Sequence, residues 1–339
     1  MLKFLKRHWI LLLSLFLLVL MVIPLLYFGN LFRMLDNRSG NQVDLDPDSI
    51  KVMGICLNNL TESRLMREKE VFLSEAKNEK VSVQIRVAHH SLERQIRQIR
   101  SFIQENVRSL IIAPVSKTGL AEVLGEAAAK GIKIILYDEL TEGPADLYCG
   151  FDYREIGKIQ ASYLAKKVGR GNYLVLKGPD NSYKANQIAK GQSDTLKKMA
   201  KTGVRLLIED APSRWSPEEV ALKTRTLTMH QKINAILTPN DICAEEIIKL
   251  FDRQDLNLPH LGGVGGERTA LYRIISGKQL ITVTSDYDAL AKAAFQNGLK
   301  LALGERVLGS GALNYNSKKI PAILIPVHPI TEANVDQFI

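Results

Sequence analysis

Hydrophobic positions change their rhythm along this chain. From Trp9 to Phe28 they run without a charge, whereas from Ile50 onward short β-branched runs alternate with amphipathic stretches. At ~1.5 Å per residue, about twenty helical residues cross a ~30 Å hydrocarbon core, so the first run predicts a transmembrane helix. Lys3, Lys6, Arg7 and His8 precede it. The positive-inside rule then keeps the N-terminus in the cytoplasm and places everything after Asn30 outside the cell membrane. A cleaved signal peptide is the competing reading, but its apolar region usually spans only ~7–15 residues. No small-x-small cleavage pattern follows the run, which leads into Gly29-Asn30-Leu31-Phe32-Arg33. The expectation is an uncleaved anchor over 1–29 and a polar linker over 30–49.

Beyond the linker the alternation predicts βα units. Strands are expected at Lys51–Leu57, Val81–Val87, Leu110–Pro114, Ile132–Tyr137 and Tyr148–Phe151. Helices are expected at Thr61–Asn78, Ser91–Glu105, with Ile96, Ile99 and Ile103 on one face, and Lys117–Lys130, closed by Gly131. A second series follows, with helices opening near Arg154, Tyr183, Pro217, Ile242, Arg268 and Asp288. Its strands are near Tyr173, Val204, Ala235, Leu258 and Ile281, and a terminal strand pair lies near Leu313 and Ala322. Repeated units of this length imply parallel sheets with helices on both faces. The fold class read from this is α/β: two Rossmann-like lobes with parallel sheets, preceded by one transmembrane helix; the three-segment hinge between the lobes is what the family resemblance given below implies. The expected lobes are 50–151 with 281–309, and 152–280 with 310–339. Hinge passages are expected near Gly150–Asp152, Gln279–Ile281 and Gly309–Gly311. Each sheet offers the C-terminal ends of its strands as a ligand crevice.

Composition narrows the function. The chain carries a net charge of +9. Its cations mix with glutamates on helix faces, as in Glu93 to Arg100, which is a solvated face rather than a nucleic-acid footprint. Three cysteines, Cys56, Cys149 and Cys243, are far apart and show neither metal spacing nor a disulfide framework. They read as small buried hydrophobes. His89-His90 sits between a strand and a helix and reads as a loop. No metal and no cofactor are expected. There is no Walker A loop, G-x-S-x-G or H-E-x-x-H, and Gly262-Gly263-Val264-Gly265-Gly266 lacks dinucleotide-site spacing. The chain is therefore expected not to be an enzyme.

Polar residues gather at the expected strand ends: Asn58-Asn59 and Arg64, Asp138-Glu139, Asp180-Asn181, Trp215, Asn240-Asp241 and Glu267. Their order resembles the type I periplasmic sugar-binding proteins, and among them the xylose-binding branch, from about Lys51 to Pro329. In that family the first loop carries acidic or amide residues and an Arg-Trp pair that meets the sugar. Here Arg64 matches, while Leu65 replaces the stacking aromatic. The family's Tyr-Asp-Arg becomes Tyr137-Asp138-Glu139, which loses a cationic donor. Asp180-Asn181, Trp215 and Asn240-Asp241 stand for the family's Asp-Asn, Trp and Asn-Asp, and Glu267 is the nearest carboxylate to a further family aspartate. The chemistry fits, because hydroxyls pair with carboxylate and amide oxygens beside Arg donors, and an aromatic face covers the C–H side of a pyranose. Other readings stay open: Trp215 as a packed surface aromatic, Asn240 and Asp241 as caps of the next helix, and Arg64 as a helix-surface charge.

The resemblance implies an extracytoplasmic, membrane-anchored protein that closes on a monosaccharide, xylose-like in kind. Its own anchor would hold the lobes at high effective concentration beside a membrane receptor. A sensor histidine kinase of a two-component system is therefore the expected partner, and an ABC permease is the alternative. A DNA-binding repressor of the same fold needs an N-terminal helix-turn-helix, where this chain has its apolar run, so no nucleic-acid partner is expected.

Overall fold

The chain crosses between two parallel sheets three times, and where it crosses decides what faces the space between them. The structure, a computed structural model, describes residues 51–58, 63–179, 182–209, 216–315 and 318–339. The expected anchor and linker lie outside the described residues. Among the described residues, no helix is long and apolar enough to cross a membrane.

In chain order the elements are β1 (Lys51–Leu57), α1 (Ser63–Glu79), β2 (Ser82–Val87), α2 (Leu92–Gln104), β3 (Ser109–Ile112), α3 (Ala121–Ala129), β4 (Lys133–Tyr137) and β5 (Leu147–Phe151). Then come α4 (Tyr153–Val168), β6 (Gly171–Leu176), α5 (Tyr183–Lys198), β7 (Val204–Glu209), α6 (Pro217–His230), β8 (Ala235–Leu237), α7 (Asp241–Arg253), β9 (His260–Gly265), α8 (Arg268–Ile275) and β10 (Ile281–Ser285). The chain closes with α9 (Tyr287–Ala302), β11 (Gly311–Tyr315), β12 (Lys318–Ile325) and β13 (Val327–Thr331). One sheet runs β11-β12-β5-β4-β3-β1-β2 and the other β13-β10-β9-β8-β6-β7. Parallel pairing dominates both, with antiparallel exceptions at β11 on β12 and β13 on β10.

These pairings move two of the expected passages. The sequence places residues from 281 in the first lobe, yet β10 pairs in register with β9 of the second sheet. Its crossing follows Ser285, and α9 then packs on β3 and β4 of the first sheet. The sequence places residues from 310 in the second lobe, yet β12 runs parallel to β5 of the first sheet and carries β11 beside it. That crossing falls between Ile325 and Val327. The physical reason is that a strand's apolar rhythm says it is buried without saying which sheet receives it.

Two crossings share one local design. Phe151-Asp152-Tyr153 and Ser285-Asp286-Tyr287 each end a strand, cap a helix with aspartate and begin it with tyrosine. Asp152 accepts from Glu155 N–H at 3.0 Å, and Asp286 accepts from Ala289 N–H at 2.9 Å. Carboxylates suit helix N-termini, where N–H groups lack partners. Both tyrosines pack edge-on against Phe151, with centroids 6.1 Å and 5.1 Å away.

Helix α4 lies closely against α5 in the second lobe. A Cβ at Gly157 would run into Ile188 O, and one at Gly191 into Arg154 O, so glycine at both positions lets the two backbones touch. This approach sets the first turn of α4 against the middle of α5. On α2 the buried face is Gln95, Ile99 and Phe102, with Ile96 and Ile103 only half-buried. Gln95 tolerates burial because it donates to Ala113 O and accepts from Val115 N–H, both at 2.9 Å. The three cysteines are buried and unpaired, and burial pushes the Cys56 and Cys243 thiols up to about 12. His89 and His90 turn the chain with φ of 47° and 58°.

Candidate ligand-binding site

The C-terminal end of β4 supplies the centre of the site. Asp138 follows the fully buried run Ile134–Tyr137, and its own φ of 65° swings the chain out of the strand. Its N–H still bonds to Cys149 O at 2.8 Å, so the turn stays tied to β5. Asp138 is 7% exposed. Its carboxylate takes an ion pair from Arg64 Nη2 at 2.6 Å and a hydrogen bond from the Tyr153 hydroxyl. Burial drives its pKa upward. The charges of Arg64 and Lys184, with the Arg64 hydrogen bond, outweigh that and hold it below the usual carboxylate value.

Arg64, on the first turn of α1, organises the first-lobe side. Its Nε donates to Glu68 Oε1 at 2.5 Å, and its guanidinium stacks 3.6 Å above the centroid of the Tyr287 ring. One planar group thus links α1, β4 and α9. Glu68 is fully buried, and burial, with Asp138 adding to it, raises its pKa against the pull of Arg64.

The second lobe answers through α5. Ser182 caps that helix by accepting from Ala185 N–H at 3.2 Å, and its hydroxyl donates to Glu139 Oε1 at 2.8 Å. The Lys184 N–H also bonds to Glu139. Glu139 therefore sits on a helix N-terminus of the opposite lobe, where a carboxylate is favoured. Burial and the neighbouring Asp138 charge nonetheless raise its pKa. The Lys184 ammonium lies 5.7 Å and 5.9 Å from the ring centroids of Tyr153 and Tyr287. Burial works to lower its pKa, but Tyr287, Asp138 and Glu139 prevail and hold it above the usual lysine value. Tyr183 packs edge-on against Tyr148 and Tyr153, 6.3 Å and 6.4 Å between centroids.

Other expected site residues fall differently. Asn58 follows β1, its carbonyl accepts from His90 N–H at 2.9 Å, and its side-chain oxygen is buried without a hydrogen-bond partner among the described residues. Asn59, Asp180, Asn181 and Trp215 lie outside the described residues. Asn240 caps α7, accepting from Cys243 N–H at 2.7 Å. Asp241 is 1% exposed and bound on both oxygens. Oδ2 accepts from Thr282 Oγ1 at 2.7 Å, Gly266 N–H at 2.8 Å and Glu267 N–H at 3.1 Å; Oδ1 accepts from Gln279 Nε2 at 2.8 Å. It pins the glycine turn after β9 to α7 and β10. Burial raises its pKa against these bonds. Glu267 is exposed at the start of α8.

Glu68, Tyr153, Lys184 and Tyr287 belong to the cluster and were not expected. Tyr153 and Tyr287 follow the helix-capping aspartates of the two crossings, and that repeated Asp-Tyr was the available signal. Lys184 breaks the rule that helices begin with acidic residues, a signal of another kind.

Two α/β lobes with polar side chains converging where their strands end define a binding protein built around a cleft. The Periplasmic binding protein domain family matches residues 61–306. The chain belongs to that family. It is a family of binding proteins, and its membership places this chain outside the enzymes. A D-xylose-binding periplasmic protein of Haemophilus influenzae is 26% identical over 84% of this chain and 87% of its own length. A multiple sugar-binding periplasmic receptor of Rhizobium radiobacter is 25% identical over 72% of this chain and 76% of its own. Among solved structures, a carbohydrate transporter solute-binding protein of Chloroflexus aurantiacus, in complex with D-glucose, superposes with a TM-score of 0.74 at 24% identity. That superposition covers 84% of this chain and 94% of the other.

Proposed function

We propose that this chain is an extracytoplasmic sugar-binding protein, held at the cell membrane by its uncleaved N-terminal helix, that closes on a monosaccharide of xylose-like size. The observation carrying this reading is the pair formed by Arg64, on the first turn of α1, and Asp138, at the end of β4, faced across the cleft by Lys184 of the other lobe. Such a set offers both donors and acceptors, as a polyol requires. The printed functions of the D-xylose-binding relatives support the same ligand class. Candidate contacts are Asn58, Asn59, Arg64, Asp138, Asp180, Asn181, Trp215 and Asn240. Ligand touching both lobes favours the shut form, and the shut form presents a composite surface to a partner.

The partner we propose is a membrane sensor histidine kinase, because an anchor keeps the lobes beside a receptor; delivery to an ABC permease is the alternative. Purification of the full chain from membranes in detergent tests both. Co-recovery of a histidine kinase supports signalling, and co-recovery of a permease reverses it. The N-terminal mass of the same preparation tests the anchor: a start beyond Phe28 removes it.

A further inference from the structure

Lys184 is absent from the sugar shell that the sequence resemblance implies, and the fold brings it to the middle of the cleft. It is the second residue of α5. A cation there opposes the helix dipole, whose N-terminus carries partial positive charge. What faces it offsets that conflict: Asp138 and Glu139 of the first lobe, and the rings of Tyr153 and Tyr287. The nearby carboxylates are engaged by protein donors. Arg64 and Tyr153 hold Asp138, Ser182 and a backbone N–H hold Glu139, and Arg64 Nε holds Glu68 Oε1. The ammonium, by contrast, has three N–H donors. Among the described residues no hydrogen bond or ion pair is made to it, and its neighbours are ring faces and charges at longer range. A half-buried donor of this kind is stabilised by an oxygen acceptor brought into the cleft.

We propose that Lys184 is a further ligand-contacting residue of the second lobe, donating to one hydroxyl oxygen of the sugar and setting which position must carry that oxygen. The inference rests on the sugar-binding reading above. Arg64 and Lys184 approach the same Tyr287 ring from different lobes, so a ring-sized polyol between them receives one donor from each. Their two positive charges face three carboxylates, Asp138, Glu139 and Glu68, so the acceptor is a neutral hydroxyl rather than a further carboxylate. The family pattern places an arginine where Glu139 stands, and here the cation comes from across the cleft, where only the shut form uses it.

The test is calorimetric titration of the detergent-solubilised full chain and its K184M, K184R and K190M variants. The probes are a panel of pentoses and hexoses, the monodeoxy analogues of the best binder and its uronic acid. Lys190 is exposed on the same helix and serves as the control. K184M is expected to weaken the best binder tenfold or more, K184R by much less, and K190M not at all. The loss that wild type shows for one monodeoxy analogue should vanish in K184M while losses at other positions persist. Unchanged affinity in K184M overturns the proposal. So does an equal loss for the parent sugar and every deoxy analogue, which marks a structural role, and so does a uronic acid bound more tightly than its parent. Wild type that binds no sugar instead removes the underlying reading, a separate and recognisable outcome. Ligand-free melting curves of each variant confirm that it folds.

Discussion

Glu139, at the end of a first-lobe strand, accepts a hydrogen bond from Ser182 Oγ at 2.8 Å, and Ser182 in turn caps the second-lobe helix that carries Lys184. One hydroxyl therefore terminates a helix and joins two lobes. Ser182→Ala removes both roles. A lost cap costs about 1 kcal/mol, and a lost hydrogen bond to a charged group ~1.5–3 kcal/mol. The expected loss of ligand-free stability is about 1–3 kcal/mol by urea unfolding. A change below a few tenths means the contact contributes nothing to the shut form.

Two adjacent carboxylates should respond oppositely to acid. The native pKa of Asp138 is lowered, so its stabilising contribution is present above its ordinary value of 3.8 and is lost as pH falls through the lower native value. The native pKa of Glu139 is raised, so its contribution is full below its ordinary value of 4.5 and is lost as pH rises through the native value. The stability of wild type relative to Glu139→Gln should accordingly decline as pH is raised from 4.5. Melting temperatures of the pair across pH 4 to 8 check this, and a flat difference contradicts it.

Arg64 makes three kinds of contact with one planar group: to Glu68, to Asp138 and over the Tyr287 ring. Lysine, a point charge on a flexible stem, cannot reproduce that fork and stack. Arg64→Lys should cost about 1–3 kcal/mol of stability, the scale of hydrogen bonds to charged groups. Equal denaturation midpoints would show that the guanidinium geometry is dispensable.

Asp241 is expected to act on stability before it acts on affinity. Its four donors come from the Gly266-Glu267 turn leading into α8, from Gln279 and from β10. Asp241→Ala leaves those donors without an acceptor and should cost ~3–5 kcal/mol, the scale of breaking a buried charged network. Urea unfolding measures this. Full stability together with lost sugar affinity would instead place the carboxylate on the ligand.

The βα rhythm carried the element order, because apolar period and helix caps are local properties. Asp152, Ser182, Ser216, Asn240 and Asp286 all cap helices that were expected near those positions. Sheet membership was not local. Ile281–Ser285 and Lys318–Ile325 read as buried strands in either lobe, and only pairing with β9 and β5 assigns them. At the site, Asp138 was legible because it directly follows a buried run. Lys184 and Tyr287 were not, since each enters the cleft from a helix start, and their convergence depends on how α5 and α9 pack. Asp241 shows the converse: its position matched a family motif, while its saturation by Gln279 and Thr282 is a tertiary fact.

Titration calorimetry of the full chain with xylose and a panel of other pentoses and hexoses, alongside Asp138→Ala and Trp215→Ala, tests the central claim most directly. The account predicts saturable binding of at least one monosaccharide, weakened by roughly 1–3 kcal/mol in each variant, the scale of a lost buried polar or stacking contact. Absence of binding to every sugar in the panel, or identical affinity in wild type and both variants, contradicts it.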